Sequence, residues 1–362
     1  LLALTRGLQA TGRYDITVAF FKEEAQEARS LVEDFRALGV RVMDLRMPRR
    51  FAPSGLARLN RLFREGRFEI VHTHLIRADI LGALCGSFHR VPVRLATVHN
   101  TERFYERPFV RAAVRLAFRP ADKVIAISDS VRRVLVDRVG LPASKVERID
   151  YGLTPRPGPQ PDRDVRREFG IGPEDFLVGT VGRIAKQKGH RVLLEAMRRV
   201  RAALPDRRVK LLIVGHDDEG LRPSLEAWAE RLGLAADVRF AGFQEDVAAF
   251  LRSFDLFVLP SLWEGFGLIL LEAMEQARAV VASRVDAIRE VVVHGETGLL
   301  VPPGDAERLA EAIVELIRDD GRRAAMGRAG RARQEAEFSL DRMIQRTDEL
   351  YRGLAERKGI RA

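Results

Sequence analysis

The sequence predicts an α/β protein made of two doubly wound domains, and three observations carry that expectation. Short β-rich runs alternate with longer amphipathic segments from end to end. The runs number twelve and fall into two sets of six. Between the sets, "TPRPGPQPDRD" (154–164) has four prolines at alternate positions, the composition of a stiff extended linker. The expected layout is a first domain over 1–153, a linker over 154–168 and a second domain over 169–339.

The first set of strands is read at "YDITVAFF" (14–21), "VRVMDL" (40–45), "FEIVHTH" (68–74), "VRLATVH" (93–99), "KVIAIS" (123–128) and "VERID" (146–150). The second is read at "FLVGTVG" (176–182), "VKLLIVG" (209–215), "VRFAG" (238–242), "DLFVLP" (255–260), "AVVAS" (279–283) and "GLLVP" (298–302). The segments between them have helical spacing. In "AERLAEAIVELIRD" (306–319), Leu309, Ile313, Leu316 and Ile317 make one stripe behind an N-cap at Asp305. Strands that alternate with helices form parallel sheets covered on both faces. A last amphipathic stretch, 340–357, has no strand after it and could pack on either domain.

At 362 residues the chain can bury two cores, and 46% hydrophobic with 31% charged residues fit a globular protein. One cysteine, Cys85, excludes an internal disulfide framework and suits a reducing compartment. No apolar run approaches the roughly 18 residues of a membrane helix, the best candidate, 75–88, being broken by Arg77 and Asp79. The opening residues carry no signal-peptide pattern. The net charge of +10 is uneven: residues 1–150 hold 27 basic and 17 acidic side chains, and residues 151–362 hold 34 of each. A basic half points to an anionic partner such as nucleic acid, a membrane surface or a phosphorylated substrate, or is simply an arginine-rich solvated face.

Open α/β sheets bind ligands beyond the carboxyl ends of their strands, and with two sheets the expected site is the cleft between them. "VGTVGRIAKQKGH" (178–190) is a strand, a loop and a helix start, with Arg183 and Lys188 flanking a loop bracketed by Gly182 and Gly189. Two cations at a helix N-terminus suit a phosphate. The stretch is neither a Walker loop nor G-x-G-x-x-G. "SLWEGFGLILLEAMEQA" is built alike: Glu264 lies in the loop, Gly265 and Gly267 allow close approach of a ligand, and Glu272 lies on the helix. Five residues past Gly267, Glu272 stands about 7.5 Å along the axis, so a division of labour between the carboxylates fits better than an acid/base pair. One would grip hydroxyls near the reacting centre and the other hydroxyls further along the ligand. The plain alternative makes Glu264 a partner of the helix dipole and Glu272 a solvated residue.

His72 and His74 share a strand face and His99 ends a strand. No Asp or Cys ligand stands at matching spacing, so no metal is assigned; His99 is read as a hydrogen-bond partner of substrate and His72 as structural. The Asp-x-Asp at 162–164 reads as a helix cap. In "ERPFVRAAVRLAFRPADK" (106–123), Arg107, Arg111 and Arg115 form a basic ridge, with Phe109, Val110, Val114 and Leu116 apolar. Such a helix can lie on an anionic membrane or simply cover a sheet.

Together, "PSLWEGFGLILLEAM", "VGRIAKQKGH", "GLLVPPGD" and "VHTHL…TVHN" resemble the retaining, GT-B-fold glycosyltransferases of the large group 1 family (glycosyltransferase family 4), over nearly the whole chain. The resemblance implies a nucleotide-diphosphate sugar as donor, held mainly by the second domain. Arg183 and Lys188 match the diphosphate-binding cations, next to Gly182. Glu264 matches the glutamate at the donor sugar, with Gly265, Phe266, Gly267 and Leu268 around sugar and phosphate, and Glu272 matches the ribose glutamate. His99 matches a first-domain histidine near sugar and leaving group, and helix 340–357 would cross back onto the first domain. The catalytic set implied is Glu264, His99, Arg183 and Lys188, with no metal and no cofactor. The implied reaction moves a hexose to a saccharide or lipid-linked acceptor with retention, in cell-envelope synthesis. Its implied place is the cytoplasm or the inner membrane face, with no nucleic-acid partner.

Family members usually begin with a strand and a glycine-rich turn. "LLALTRGLQATG" reads as the end of the following helix, so the chain is expected to lack both, and to be a piece of a longer one. Tyr151 stands where the family often has asparagine, and "VDAIRE" (285–290) lacks the paired glycines common there. The rival expectations are a non-catalytic sugar-nucleotide-binding module with the same cleft, and an epimerase or phosphorylase of similar build.

Overall fold

Twelve strands form where β-branched and aliphatic runs were read: β1 Thr17–Phe20, β2 Arg41–Asp44, β3 Ile70–His74, β4 Val93–Val98, β5 Lys123–Ala126, β6 Val146–Arg148, β7 Phe176–Val181, β8 Val209–Val214, β9 Val238–Gly242, β10 Leu256–Leu259, β11 Val280–Ser283 and β12 Gly298–Val301. The structure, a computed structural model, describes residues 1–21, 32–47, 53–99, 108–153, 163–285 and 287–360. All four linker prolines, Asp162, Arg107 and Asp286 lie outside the described residues. Every pairing between these strands is parallel. The chain divides into two compact units, Leu1–Thr154 with Leu340–Ala362, and Pro155–Ser339.

The second unit is one six-stranded sheet in the order β12-β11-β10-β7-β8-β9. Its strands β7, β10, β11 and β12 are buried at every position, as a parallel sheet covered on both faces requires. The helix Ala306–Arg318 buries Leu309, Ile313, Leu316 and Ile317, and the Asp305 side chain accepts from Arg308 N–H. Asp164, the second aspartate of the Asp-x-Asp, caps the helix Val165–Glu168 in the same way.

The first unit departs from a single sheet of six. It has a two-stranded sheet, β1-β2, and a four-stranded one, β3-β4-β5-β6. Burial goes with pairing: the single-paired β1, β2 and β3 are half-exposed along their length, whereas β4, with a neighbour on each side, is nearly all buried. The two sheets share one core, in which Phe21, the residue after β1, Met43 of β2 and Val71 of β3 pack against Leu45, Met47, Leu59, Phe63 and Leu81. A second core joins Leu4 and Leu8 of the opening helix Leu2–Ala10 to Val93, Leu95, Tyr351 and Leu354. Tyr351 and Leu354 belong to the last helix, Leu340–Arg357, which packs on the opening helix. Arg13 and Tyr14 both donate to the Asp348 carboxylate, at 2.8 and 2.7 Å, which pins that last helix.

Candidate active site

In the second unit the strand order reverses between β7 and β10, the place where doubly wound sheets open for a ligand. The loops leaving these two strands are 182–189 and 260–267. Backbone and side chain lace them together. Leu262 N–H donates to the Gln187 carbonyl at 2.7 Å, and Gln187 Nε2 donates to the Trp263 carbonyl at 2.9 Å. The fit leaves no room at Gly189, which has φ +65°; a Cβ there would stand 2.1 Å from the Pro260 carbonyl oxygen.

Lys188 and Glu264 meet in this seam. Lys188 Nζ donates to Glu264 Oε1 at 2.5 Å, and Ser261 Oγ donates to the same oxygen at 2.9 Å. The two side chains are 15% and 8% exposed, so the pair is largely out of water. A desolvated carboxylate survives only with a close cation and further donors. Gly182 lies against the lysine stem, its Cβ position 3.3 Å from Lys188 Cε. Arg183 stands apart from the pair: it is more than half exposed and donates to Asp218 at 3.4 Å. The two sequence-predicted cations therefore differ, one locked to Glu264 and one on the surface.

The helix Leu268–Glu275 starts from Gly267, whose φ is +80°. Phe266 is buried and meets Phe338 edge to face, so only its backbone is available to a ligand. Leu268 is exposed and Glu272 is half-buried on the helix. His190, the first residue of the helix His190–Ala203, is buried, and burial holds its imidazole down to about 4.

The first unit collects its histidines at the carboxyl ends of β3 and β4. His72 is held by Tyr351 OH at 2.5 Å and Thr97 Oγ1 at 2.6 Å, a structural role. The His72 and His74 rings lie 4.3 Å apart. His99 Nε2 is 3.0 Å from His74 Nδ1, and His99 Nδ1 bonds the Tyr151 hydroxyl. Burial lowers His72 to about 3 and His99 to about 4, and puts His74 well below its usual value, so all three rings are neutral near pH 7. On the helix Ile76–Phe88, which follows β3, burial pushes the Asp79 carboxyl up to about 7.

Sequence reasoning missed Ser261, Gln187 and the bond of Tyr151 to His99. Ser261 is three residues before Glu264 and could have been found as its local donor; the other two are contacts across the fold. The basic ridge is also altered. Arg115 donates to the Val139 carbonyl at 3.0 Å, which ties it to its own unit. On the helix Pro108–Phe118, Val114 and Phe118 are buried, whereas Phe109 and Leu116 face outward.

Two parallel-sheet α/β units in one chain, one with polar loops at its switch point, are the architecture of the GT-B class. The description "Glycosyl transferases group 1" matches residues 162–333, and "Glycosyltransferase Family 4" matches residues 1–156. The chain is 31% identical to the D-inositol 3-phosphate glycosyltransferase of Thermobispora bispora, over 84% of this chain and 75% of that protein. It is 32% identical to the phosphatidyl-myo-inositol mannosyltransferase of Mycolicibacterium smegmatis, over 76% of this chain and 69% of that protein. In fold it is similar to Anabaena Alr3699/HepE, solved in complex with UDP and glucose, with a TM-score of 0.83 at 21% identity, covering 97% of this chain and 95% of that one. The chain belongs to the group 1 glycosyltransferases of glycosyltransferase family 4.

Proposed function

We propose that this glycosyltransferase moves a hexose from a nucleotide-diphosphate sugar to a saccharide or lipid-linked acceptor, with retention of anomeric configuration and without a metal. The observation that carries the reading is the desolvated Lys188–Glu264 pair at the switch point of the second unit, beside the Gly265–Gly267 turn. Loss of the nucleoside diphosphate leaves negative charge on its phosphate oxygens. Lys188 and the exposed Arg183 are the cations proposed to take it, with the start of the helix Leu268–Glu275 adding its dipole. Glu264, fixed by Ser261 and Lys188, is proposed to accept from sugar hydroxyls and to favour positive charge at the anomeric carbon. Glu272 is proposed to take the ribose, and His99 to bond the transferred sugar.

Retention rests on the family resemblance. Support for the donor class comes from the neighbour solved with UDP and glucose, and support for a lipid-linked acceptor from the mannosyltransferase relative. A role in cell-envelope synthesis at the inner membrane face belongs to the same proposal. No helix among the described residues is long and apolar enough to cross a membrane, and the attachment proposed is surface docking. The outward Phe109 and Leu116, with Leu84 and Phe88 of the adjacent helix Ile76–Phe88, support it.

A calorimetric panel of nucleotide sugars, followed by proton NMR of the product anomer, tests the reading. One donor should bind, and an α-linked donor should give an α product. No binding across the panel, or an inverted product, would overturn it.

A further inference from the structure

We propose that Tyr151 is a positioning residue that fixes which ring nitrogen of His99 carries the proton; the catalytic meaning of this rests on the reading of His99 as a partner of the sugar. Both nitrogens of His99 are engaged. Nδ1 bonds the Tyr151 hydroxyl and Nε2 faces His74 Nδ1 at 3.0 Å. The three rings are near-parallel, at 16° between Tyr151 and His99 and 29° between His99 and His74.

A neutral imidazole has one N–H, so its two bonds must run in opposite senses. If Tyr151 donates to Nδ1, the proton sits on Nε2 and that nitrogen donates to His74. If His74 donates instead, the proton sits on Nδ1 and Nε2 becomes an acceptor. Tyr151 decides between them because a phenol O–H is a better donor than an imidazole N–H, and an unprotonated ring nitrogen a better acceptor than a phenol oxygen, so the Tyr151–Nδ1 contact is strongest with the proton on the phenol and Nδ1 accepting. The residue is also held in place. It lies past β6, where Gly152 N–H meets Met343 Sδ at 3.3 Å and Leu340 N–H donates to the Leu153 carbonyl at 3.1 Å, both from the start of the last helix. His99 is thus a preset Nε2–H donor. An oxygen of the ligand that replaces His74 as acceptor meets a ring that needs no change of tautomer.

Long-range ¹H–¹⁵N NMR on histidine-labelled full chain reads the tautomer directly, with His99→Gln assigning the signal. The wild type should show Nε2–H at His99. Tyr151→Phe should show mixed or Nδ1–H tautomers, and His74→Gln should retain Nε2–H. With a donor and acceptor in hand, Tyr151→Phe should lower kcat roughly tenfold with donor KM changed less than about twofold, the size expected for loss of a well-aligned donor. An unchanged tautomer in Tyr151→Phe, or a scrambled one in His74→Gln, overturns the proposal. Should Tyr151→Phe not fold, the His74→Gln spectrum decides alone: Nε2–H retained supports the assignment and Nε2–H lost overturns it. Absence of any transfer by the wild type would count against the enzyme proposal, while the spectra would still judge Tyr151.

Discussion

The two units bury polar groups in opposite ways. The second keeps a charged pair, Lys188–Glu264, out of water at its switch point. The first keeps three histidines neutral well into acid, because burial opposes the protons they would take up in water below about pH 6.5. A buried ion pair fails when one member is removed, and a cluster of neutral bases fails when the solvent turns acidic. One kind of alternating α/β sequence therefore yields one unit that is sensitive to mutation at a point and another that is sensitive to pH.

The largest effect is expected at the ion pair. Lys188→Ala leaves Glu264 buried without its cation, which should cost roughly 3 kcal/mol of stability and reduce transfer on the order of a hundredfold or more. Replacing both partners, as in Lys188→Met with Glu264→Gln, should return most of the stability and none of the activity. Urea unfolding followed by Trp228 and Trp263, the chain's only tryptophans, reads the second unit alone. Recovery of transfer along with stability in the double variant would show the pair to be structural.

How far the sequence went is clear from particular elements. All twelve strands were legible, since runs such as "VKLLIVG" and "FLVGTV" have few other ways to be buried. The division of the first unit into sheets of two and four was not, because periodicity says which residues pair somewhere and not which edges meet. At the candidate site, glycines and charged residues beyond strand ends marked the loops. The contact of Lys188 with Glu264 was out of reach, as their separation of 76 residues carries no spacing signal. Tyr151 was visible only as an oddity among relatives, and its hydroxyl meets His99 from 52 residues away. On the helix Pro108–Phe118 the residue types were legible and their burial was not. Val114 and Phe118 are buried, whereas Phe109 and Leu116 are exposed among the described residues.

Acid sharpens the comparison. Each of these histidines has a folded pKa below the unfolded value of roughly 6.5, so the unfolded chain binds more protons as pH falls. Stability is then lost between about 6.5 and the folded pKa, at roughly 1.4 kcal/mol per pH unit for each group. His72, His74 and His99 act together in the first unit. Asp79 opposes them, since its raised pKa lets the folded state hold a proton that the unfolded chain takes up only nearer pH 4. The net is about two protons, against one for His190 in the second unit. The four tyrosines all lie within residues 1–154 and 340–362, so tyrosine absorbance and tryptophan fluorescence separate the units. Between pH 6.5 and 4.5 the tyrosine transition should move to lower temperature faster than the tryptophan one. The reverse order would break the contrast.

The smallest effect concerns the surfaces. The first half of the chain carries the whole charge excess, and the first unit exposes Leu84, Phe88, Phe109 and Leu116 on two neighbouring helices. Partial insertion of Phe109 and Leu116 into a lipid interface should be worth about 1 kcal/mol each, and Arg111 about as much again beside anionic headgroups. Phe109→Ser with Leu116→Ser should therefore weaken sedimentation with anionic vesicles roughly thirtyfold, and the loss should persist in high salt, where the arginine contribution fades. Phe243→Ser, which removes another largely exposed phenylalanine, in the second unit, should change nothing. Equal losses at Phe109 and Phe243 would mean that vesicles bind any exposed apolar side chain, and binding to neutral vesicles as strong as to anionic ones would remove the basic half from the account.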